Sequence, residues 1–311
     1  MNVLVVGGTG FVGKHLCREL NERGHDVTAL SRSPEEGALP DGVETAMGDV
    51  AAYDSIESAF EGMDVVVNLV ALSPLFRPRG GNEMHYRVHR GGTENVVRAA
   101  ETHGVGRIVQ MSALGADPDG ETAYIRSKGQ AEETVRESEL EWVIFRPSVV
   151  FGEGGEFIPY TKQLAPPYIT PLPGGGKTRF QPIWVGDLVP MLADAVESED
   201  EHVGETYEIG GPEVLSLAAV AELAHAVDGR PVGVVSIPMG LAGIGLRSLD
   251  FVPGSVLDAV PGIPRMGSDQ YRSLRFDNTT ASNDIEAFGV AADELLTVSA
   301  YLDSGRSGSE V

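Results

Sequence analysis

Residues 3–13 read VLVVGGTGFVG, four consecutive apolar residues followed by glycines at 7, 10 and 13. A short apolar run ending in such a turn is a buried strand handing over to a helix. Gly7 permits the tight turn, Gly10 lets backbone approach a pyrophosphate, and Gly13 allows the helix to pack closely on the strand. Unpaired N–H groups at the helix start then favour an anion. The stretch therefore predicts a dinucleotide site on the first unit of a doubly wound sheet.

The rest of the chain keeps that rhythm. Apolar runs at 26–31 (DVTALS), 43–47 (VETAM), 64–71 (DVVVNLVA), 107–112 (RIVQMS) and 141–147 (EWVIFRP) read as buried strands. Helical spacing falls between them at 11–23, 54–61, 84–103 and 121–138, with Gly24, Gly62 and Gly104 where helix C-caps are expected. Strands alternating with helices predict an α/β protein with a parallel, doubly wound sheet, a Rossmann fold.

Residues 1–150 form the expected dinucleotide-binding domain, and 178–210 are expected to rejoin it. Residues 151–177, rich in Gly and Pro, and 211–304 are expected to build a smaller C-terminal α/β substrate lobe. There Asp187 and Ser216 are plausible helix N-caps, 232–236 a strand and 292–304 a last helix. The polar tail 305–311 is expected to be disordered.

Acidic residues outnumber basic ones 46 to 23 among 311, a formal net charge of −23. Such a surface repels phosphate backbones and argues against nucleic-acid binding. The acids are scattered along helix faces, which reads as a solvation adaptation to a salt-rich, halophilic cytoplasm. No basic n-region precedes the first strand and no apolar run is long enough to span a bilayer, so a cytoplasmic location is expected. Residues 236–246 (SIPMGLAGIGL) read as core or a lid over a pocket, with peripheral membrane contact as the alternative. Cys17 is the only cysteine, which excludes an internal disulfide and a multi-cysteine metal site; no metal is expected.

The second strand ends Leu30-Ser31-Arg32-Ser33, without the acid that usually holds a ribose 2′-hydroxyl. Arg32 offers a charge-assisted fork to a 2′-phosphate and Ser33 a hydroxyl, so NADP(H) is the preferred cofactor and NAD(H) the second choice. Tyr124 and Lys128 stand four residues apart on a predicted helix and so share one face. A nearby ammonium favours phenolate, which suits Tyr124 to general acid/base work on a carbinol or carbonyl. Ser112 ends the preceding strand, at the sheet edge where open α/β folds bind ligands.

On GGTGFVG, GDV (48–50), NLVAL (68–72), GGTENVVRAA (91–100), Ser112, Tyr124/Lys128, FRPSVVFG (145–152), FQPIWVGDL (180–188) and YEIGGPEVLS (207–216), the chain resembles the short-chain dehydrogenase/reductase superfamily. The branch is the extended or atypical one, and the resemblance covers nearly the whole chain. QPIWVGD and GSDQYRSLRFDNT look most like the group of the NAD(P)-binding accessory subunit of respiratory complex I and its quinone-linked relatives. The resemblance implies Gly7, Thr9, Gly10, Phe11 and Val12 at the pyrophosphate and Arg32 at the 2′-phosphate. It implies Asp49 and Val50 at adenine, Val70 and Ala71 beside the ribose, and Pro147 to Val150 flanking the nicotinamide. Lys128 would bind the nicotinamide ribose, Tyr124 would be the acid/base and Ser112 the carbonyl orienter. His89 stands where extended members commonly carry Asn, and reads equally as a relay group or a helix-surface residue.

The expectation is an NADP(H)-dependent oxidoreductase acting on an unidentified small-molecule carbonyl or alcohol. Two alternatives stay open: a non-catalytic NADP(H)-binding subunit for assembly or redox sensing, and a sugar-nucleotide epimerase or dehydratase. Scarce basic residues in the C-terminal half weigh against the last. Oligomeric state, monomer or homodimer, is open.

Overall fold

The computed structural model describes residues 1–34, 39–241, 243 and 266–305. Seven parallel strands form its main sheet: β1 Asn2–Val6, β2 Asp26–Ser31, β3 Glu44–Met47, β4 Val65–Asn68, β5 Arg107–Met111, β6 Glu141–Pro147 and β11 Glu205–Ile209. Their order is β11-β6-β5-β4-β1-β2-β3. The chain reverses direction across the sheet between β1 and β4, and the crevice outside the carboxyl ends of those strands is where such sheets bind ligands.

Alternation along β1 explains why the sheet is covered twice. Val3 and Val5 face a core that holds Leu16, Cys17 and Leu20 of helix α1 (Phe11–Glu22) and Leu188, Leu192 and Val196 of α6 (Val185–Glu197). Leu4 and Val6 face the opposite core, with Val96, Val97 and Ala100 of α3 (Gly91–His103). Burial of such side chains stabilises by roughly 1.5–3 kcal/mol each. Cys17 is fully buried, and burial pushes its thiol up to about 12, so it is an inert packing residue.

Three expected helices differ. Residues 54–61 form two 3-10 turns, Tyr53–Ser55 and Glu57–Phe60, with Ile56 and Phe60 both buried in the core beneath α3. The 84–103 helix is composite: α2 (Glu83–His85) passes through a π turn, Tyr86–Arg90, before α3 begins. At 292–304 a 3-10 turn (Ala292–Glu294) precedes a short helix, Val298–Asp303, which Thr297 caps through the Ala300 amide. Asp187 is not an N-cap; Trp184 holds that position and the Asp187 carboxylate accepts the Leu296 N–H at 2.8 Å. Ser216 does cap the helix after it, accepting the Ala219 N–H at 3.1 Å.

Beyond β6 the second lobe adds β7 Val150–Phe151 beside β10 Ile183–Trp184, β8 Thr170–Pro173 beside β13 Val234–Ile237, and β9 Arg179–Phe180 beside β12 Leu215–Ser216. Helices α5 (Phe157–Leu164) and α7 (Leu217–Ala226) close a small core around Phe151, Phe157 and Tyr301. Helix α8, Ser268–Ser273, returns to the sheet edge. The expected disordered tail beyond Gly305, and residues 242 and 244–246 of the apolar stretch, lie outside the described residues. Among the described residues no helix is long and apolar enough to cross a membrane.

Candidate functional site

Gly7 turns the chain at the end of β1 with φ +87°, a backbone conformation that disfavours side chains, and its N–H donates to the Leu30 carbonyl at 2.8 Å. A Cβ on Gly13 would lie 2.3 Å from the Gly7 oxygen and 2.7 Å from the Gly8 Cα, so only glycine lets α1 rest on the turn. Gly10 is the N-cap of α1 and brings no side chain to the first-turn amides. That is a cradle shaped for a phosphate.

Ten of the expected site residues line one cavity of about 1160 Å³: Gly7, Gly10, Phe11, Val12, Gly13, Ala71, Ser112, Tyr124, Pro147 and Val150. It runs from the glycine turn into the second lobe, where Phe157, Leu164, Leu172, Phe180 and Leu217 wall it. Thr9, Arg32, Ser33, Asp49, Val50, Val70 and Lys128 are not part of its lining. Arg32 and Ser33 are exposed just past β2. The Asp49 carboxylate accepts the Ala51 N–H at 3.0 Å in a local turn. Val50 packs on Gly92, and Val70 packs on Gly7. Two buried hydroxyls, Ser31 Oγ at the end of β2 and Ser112 Oγ at the cavity wall, have no partner among the described residues.

Tyr124 and Lys128 lie on α4 (Ala123–Arg136), which Thr122 caps through the Ile125 N–H. Lys128 is fully buried and donates from Nζ to the Met111 carbonyl at 2.9 Å. Burial brings its ammonium down to about 8, against the pull of Glu132. The expectation that this cation draws the Tyr124 phenol down is corrected: burial raises the phenol above its ordinary value. In this state Tyr124 is a protonated donor at neutral pH.

Two imidazoles flank the phenol edge-on: His89, read from the sequence as either a relay group or a surface residue, and His85, which the sequence reading missed. His85 lies 5.7 Å and His89 5.4 Å from the Tyr124 ring centre. His89 is not a surface residue; it lies in the π turn and is 2 % exposed. Burial holds both below the usual histidine range, His85 at about 4. A spacing of four between His85 and His89 was the available signal. Two basic side chains near the second lobe are already engaged: Arg179 donates twice to Asp277 Oδ2 (2.7 and 2.8 Å), and Arg146 is held by Glu132.

The comparisons agree with this geometry. Residues 7–160 match the NAD(P)H-binding family. A 2-alkyl-3-oxoalkanoate reductase of Stenotrophomonas maltophilia is 30 % identical over 256 residues, covering 74 % of this chain and 77 % of the relative. NADH dehydrogenase (ubiquinone) 1 alpha subcomplex subunit 9, a mitochondrial protein of Arabidopsis thaliana, is 27 % identical over 291 residues, 91 % of this chain and 71 % of that one. Among solved structures, UDP-glucose 4-epimerase of Thermus thermophilus in complex with NAD superposes with a TM-score of 0.65 at 22 % identity, covering 88 % and 99 % of the two chains. The chain belongs to the NAD(P)H-binding family, within the extended short-chain dehydrogenase/reductase and epimerase superfamily.

Proposed function

We propose that the protein is an NADP(H)-dependent reductase of an uncharged, largely apolar carbonyl compound, with Tyr124 as proton donor. The observation that carries this reading is the cavity wall. It brings Ser112 Oγ and Tyr124 to one surface, and its described residues include Asp117, Asp119, Glu121, Glu156 and Asp277 but no Lys, Arg or His. A nucleoside diphosphate sugar would bring two further negative charges among those carboxylates, which disfavours the epimerase reading.

The glycine cradle and the orphaned Ser31 hydroxyl fit a dinucleotide, and Arg32 is free to reach a 2′-phosphate because β2 ends without an acid. A bound nicotinamide cofactor supplies the hydride. The protein's own share is to seat the carbonyl oxygen against the Ser112 hydroxyl and to deliver the Tyr124 proton as negative charge develops on it. Lys128, one turn further along the same helix as Tyr124, keeps its ammonium on the Met111 carbonyl. NADPH and NADH titrations, followed by NADPH oxidation across aldehydes, ketones, quinones and nucleotide sugars, test the proposal. Tighter NADH binding, or turnover only with nucleotide sugars, would remove it.

A second reading, a cofactor-holding subunit without turnover, is favoured by the near full-length similarity to the mitochondrial subunit. NADPH bound tightly but inert toward every carbonyl would select it.

A further inference from the structure

Residues 267–278, GSDQYRSLRFDN, bond through three polar side chains to three segments around the cavity: the start of α4, the loop after β4 and the loop after β6. Asp269 is 5 % exposed, and its Oδ2 accepts the Ala123 N–H at 2.9 Å and the Asn82 amide at 2.9 Å. Ala123 is the first residue of α4 and the neighbour of Tyr124, 146 positions away in sequence. Gln270 donates from Nε2 to the Pro74 carbonyl at 3.4 Å, on the loop after β4. Asn278 Oδ1 accepts the Ser148 hydroxyl at 2.7 Å and the Val149 N–H at 3.1 Å, on the loop after β6.

Thr122 caps α4 through the Ile125 amide, and Asp269 takes the Ala123 amide that this cap leaves open, from another part of the chain. A buried carboxylate costs solvation energy and is retained where its bonds matter. Here its oxygens are filled by donors from three places, Arg272 of its own helix being the third, at 2.7 Å. One carboxylate thus ties the acid/base helix to the segment that walls the cavity through Gln270, Ser273 and Leu274.

We infer that Asp269 and Asn278 are positioning residues: a single C-terminal brace fixes the Tyr124 helix against the Pro147–Val150 loop, setting proton donor and nicotinamide wall in register. The inference rests on the reading of Tyr124 as the acid/base. It explains why catalysis would depend on a segment that touches no reacting atom. Small displacements of a proton donor lower turnover while leaving binding of a distant cofactor half intact.

The test uses the full chain with Asp269→Ala, Asp269→Asn and Asn278→Ala. Hydrogen exchange is read on peptides spanning 119–128, 145–152 and 11–22, and kcat and KM with NADPH and phenanthrenequinone. Asp269→Ala is expected to speed exchange in 119–128 and to lower kcat, each by about tenfold, with the NADPH dissociation constant and 11–22 unchanged. Asp269→Asn keeps a carbonyl oxygen for the Ala123 N–H and is expected to recover most of both. Asn278→Ala is expected to act on 145–152, and it decides the matter alone should Asp269→Ala fail to fold. Unchanged exchange at those peptides, a uniform rise across all three, or an Asn variant no better than Ala overturns the brace. If wild type leaves phenanthrenequinone and every other carbonyl untouched, the acid/base reading fails separately, and the exchange comparison still decides the brace.

Discussion

The Leu72 N–H donates to His89 Nε2 at 2.8 Å, which makes that nitrogen an acceptor and leaves the ring proton on Nδ1. Nδ1 then donates to Ser127 Oγ at 2.9 Å, and Ser127 donates to the Tyr124 carbonyl at 2.8 Å. A loop of the cavity wall is thereby wired to the helix that carries Tyr124 by a neutral imidazole, since a second ring proton would oppose the Leu72 N–H.

His85 and His89 both titrate below their ordinary value of 6.5 in the folded protein, His85 at about 4. Asp269 pulls His85 upward and Lys128 pushes both downward, with burial the largest cause. Below about pH 6.5 the unfolded chain takes up protons that the native one refuses, so stability is full above that pH and falls as pH drops toward 4. At about pH 5 the His85 share is about 2 kcal/mol. Urea midpoints from pH 5 to 8 should rise with pH, and His85→Phe should flatten the rise. An unchanged slope in that variant would clear His85 of the effect.

Gly13→Ala tests the cradle. The added methyl meets backbone atoms of Gly7 and Gly8, not a flexible side chain, so α1 must lift off the turn. A loss of about 1–3 kcal/mol is expected, together with NADPH binding weakened beyond measurement. Retained NADPH affinity by fluorescence titration would show that the turn is not the pyrophosphate seat.

Much of this was legible in the sequence because the signals were local. Val3 to Val6 alternate between two cores, and Gly7 and Gly13 are each required by backbone that lies within ten residues. What escaped depended on distant partners. His89 read equally as a relay group or a helix-surface residue, and what places it inside is its bonding to Leu72 and Ser127, 17 and 38 positions away. Asp269 lies 146 residues from the amide it holds, and no spacing rule reaches that far. Tyr124 was expected to be acidified by Lys128, but burial of the phenol, set by the surrounding fold, sends it the other way.

Salt should stabilise the fold. The net charge is −23, and Arg23, Arg90, Arg107, Arg136, Arg146, Arg179, Arg272 and Lys162 are already paired with acids. Most carboxylates therefore repel one another, and screening relieves repulsion more than it weakens those pairs. Raising KCl from low to molar concentration should lift Tm by roughly 5 °C, about 3 kcal/mol for a chain of this size. A flat or falling Tm would dismiss the halophilic reading.

Tyr124→Phe removes the phenol and keeps the ring packed against His85 and His89. NADPH-dependent carbonyl reduction should fall by about 10²- to 10⁴-fold, with the NADPH dissociation constant nearly unchanged. Because burial keeps the native phenol protonated, reduction should dominate at neutral pH and alcohol oxidation should appear only under alkaline conditions. Equal rates for variant and wild type would transfer the proton donor elsewhere.

Lys128 separates function from stability. Its ammonium is fully buried, with one bond to Met111 and a pKa brought down from 10.5 to about 8. The unfolded chain holds that proton up to about pH 10.5, so between 8 and 10.5 it binds more protons than the native state and stability rises with pH. Below 8 the buried charge is a standing cost. Lys128→Met, similar in volume and uncharged, should therefore stabilise the cofactor-free protein by about 1–3 kcal/mol near pH 7, less whatever the Met111 bond contributed. The same substitution should weaken NADPH binding and abolish turnover, because the buried charge one helical turn from Tyr124 is gone. In wild type, NADPH affinity should decline as pH rises through about 8, where the ammonium is lost. Thermal melts and NADPH titrations of the two proteins from pH 6 to 10 measure both effects, and a variant that is less stable yet binds NADPH normally would assign Lys128 to the core alone.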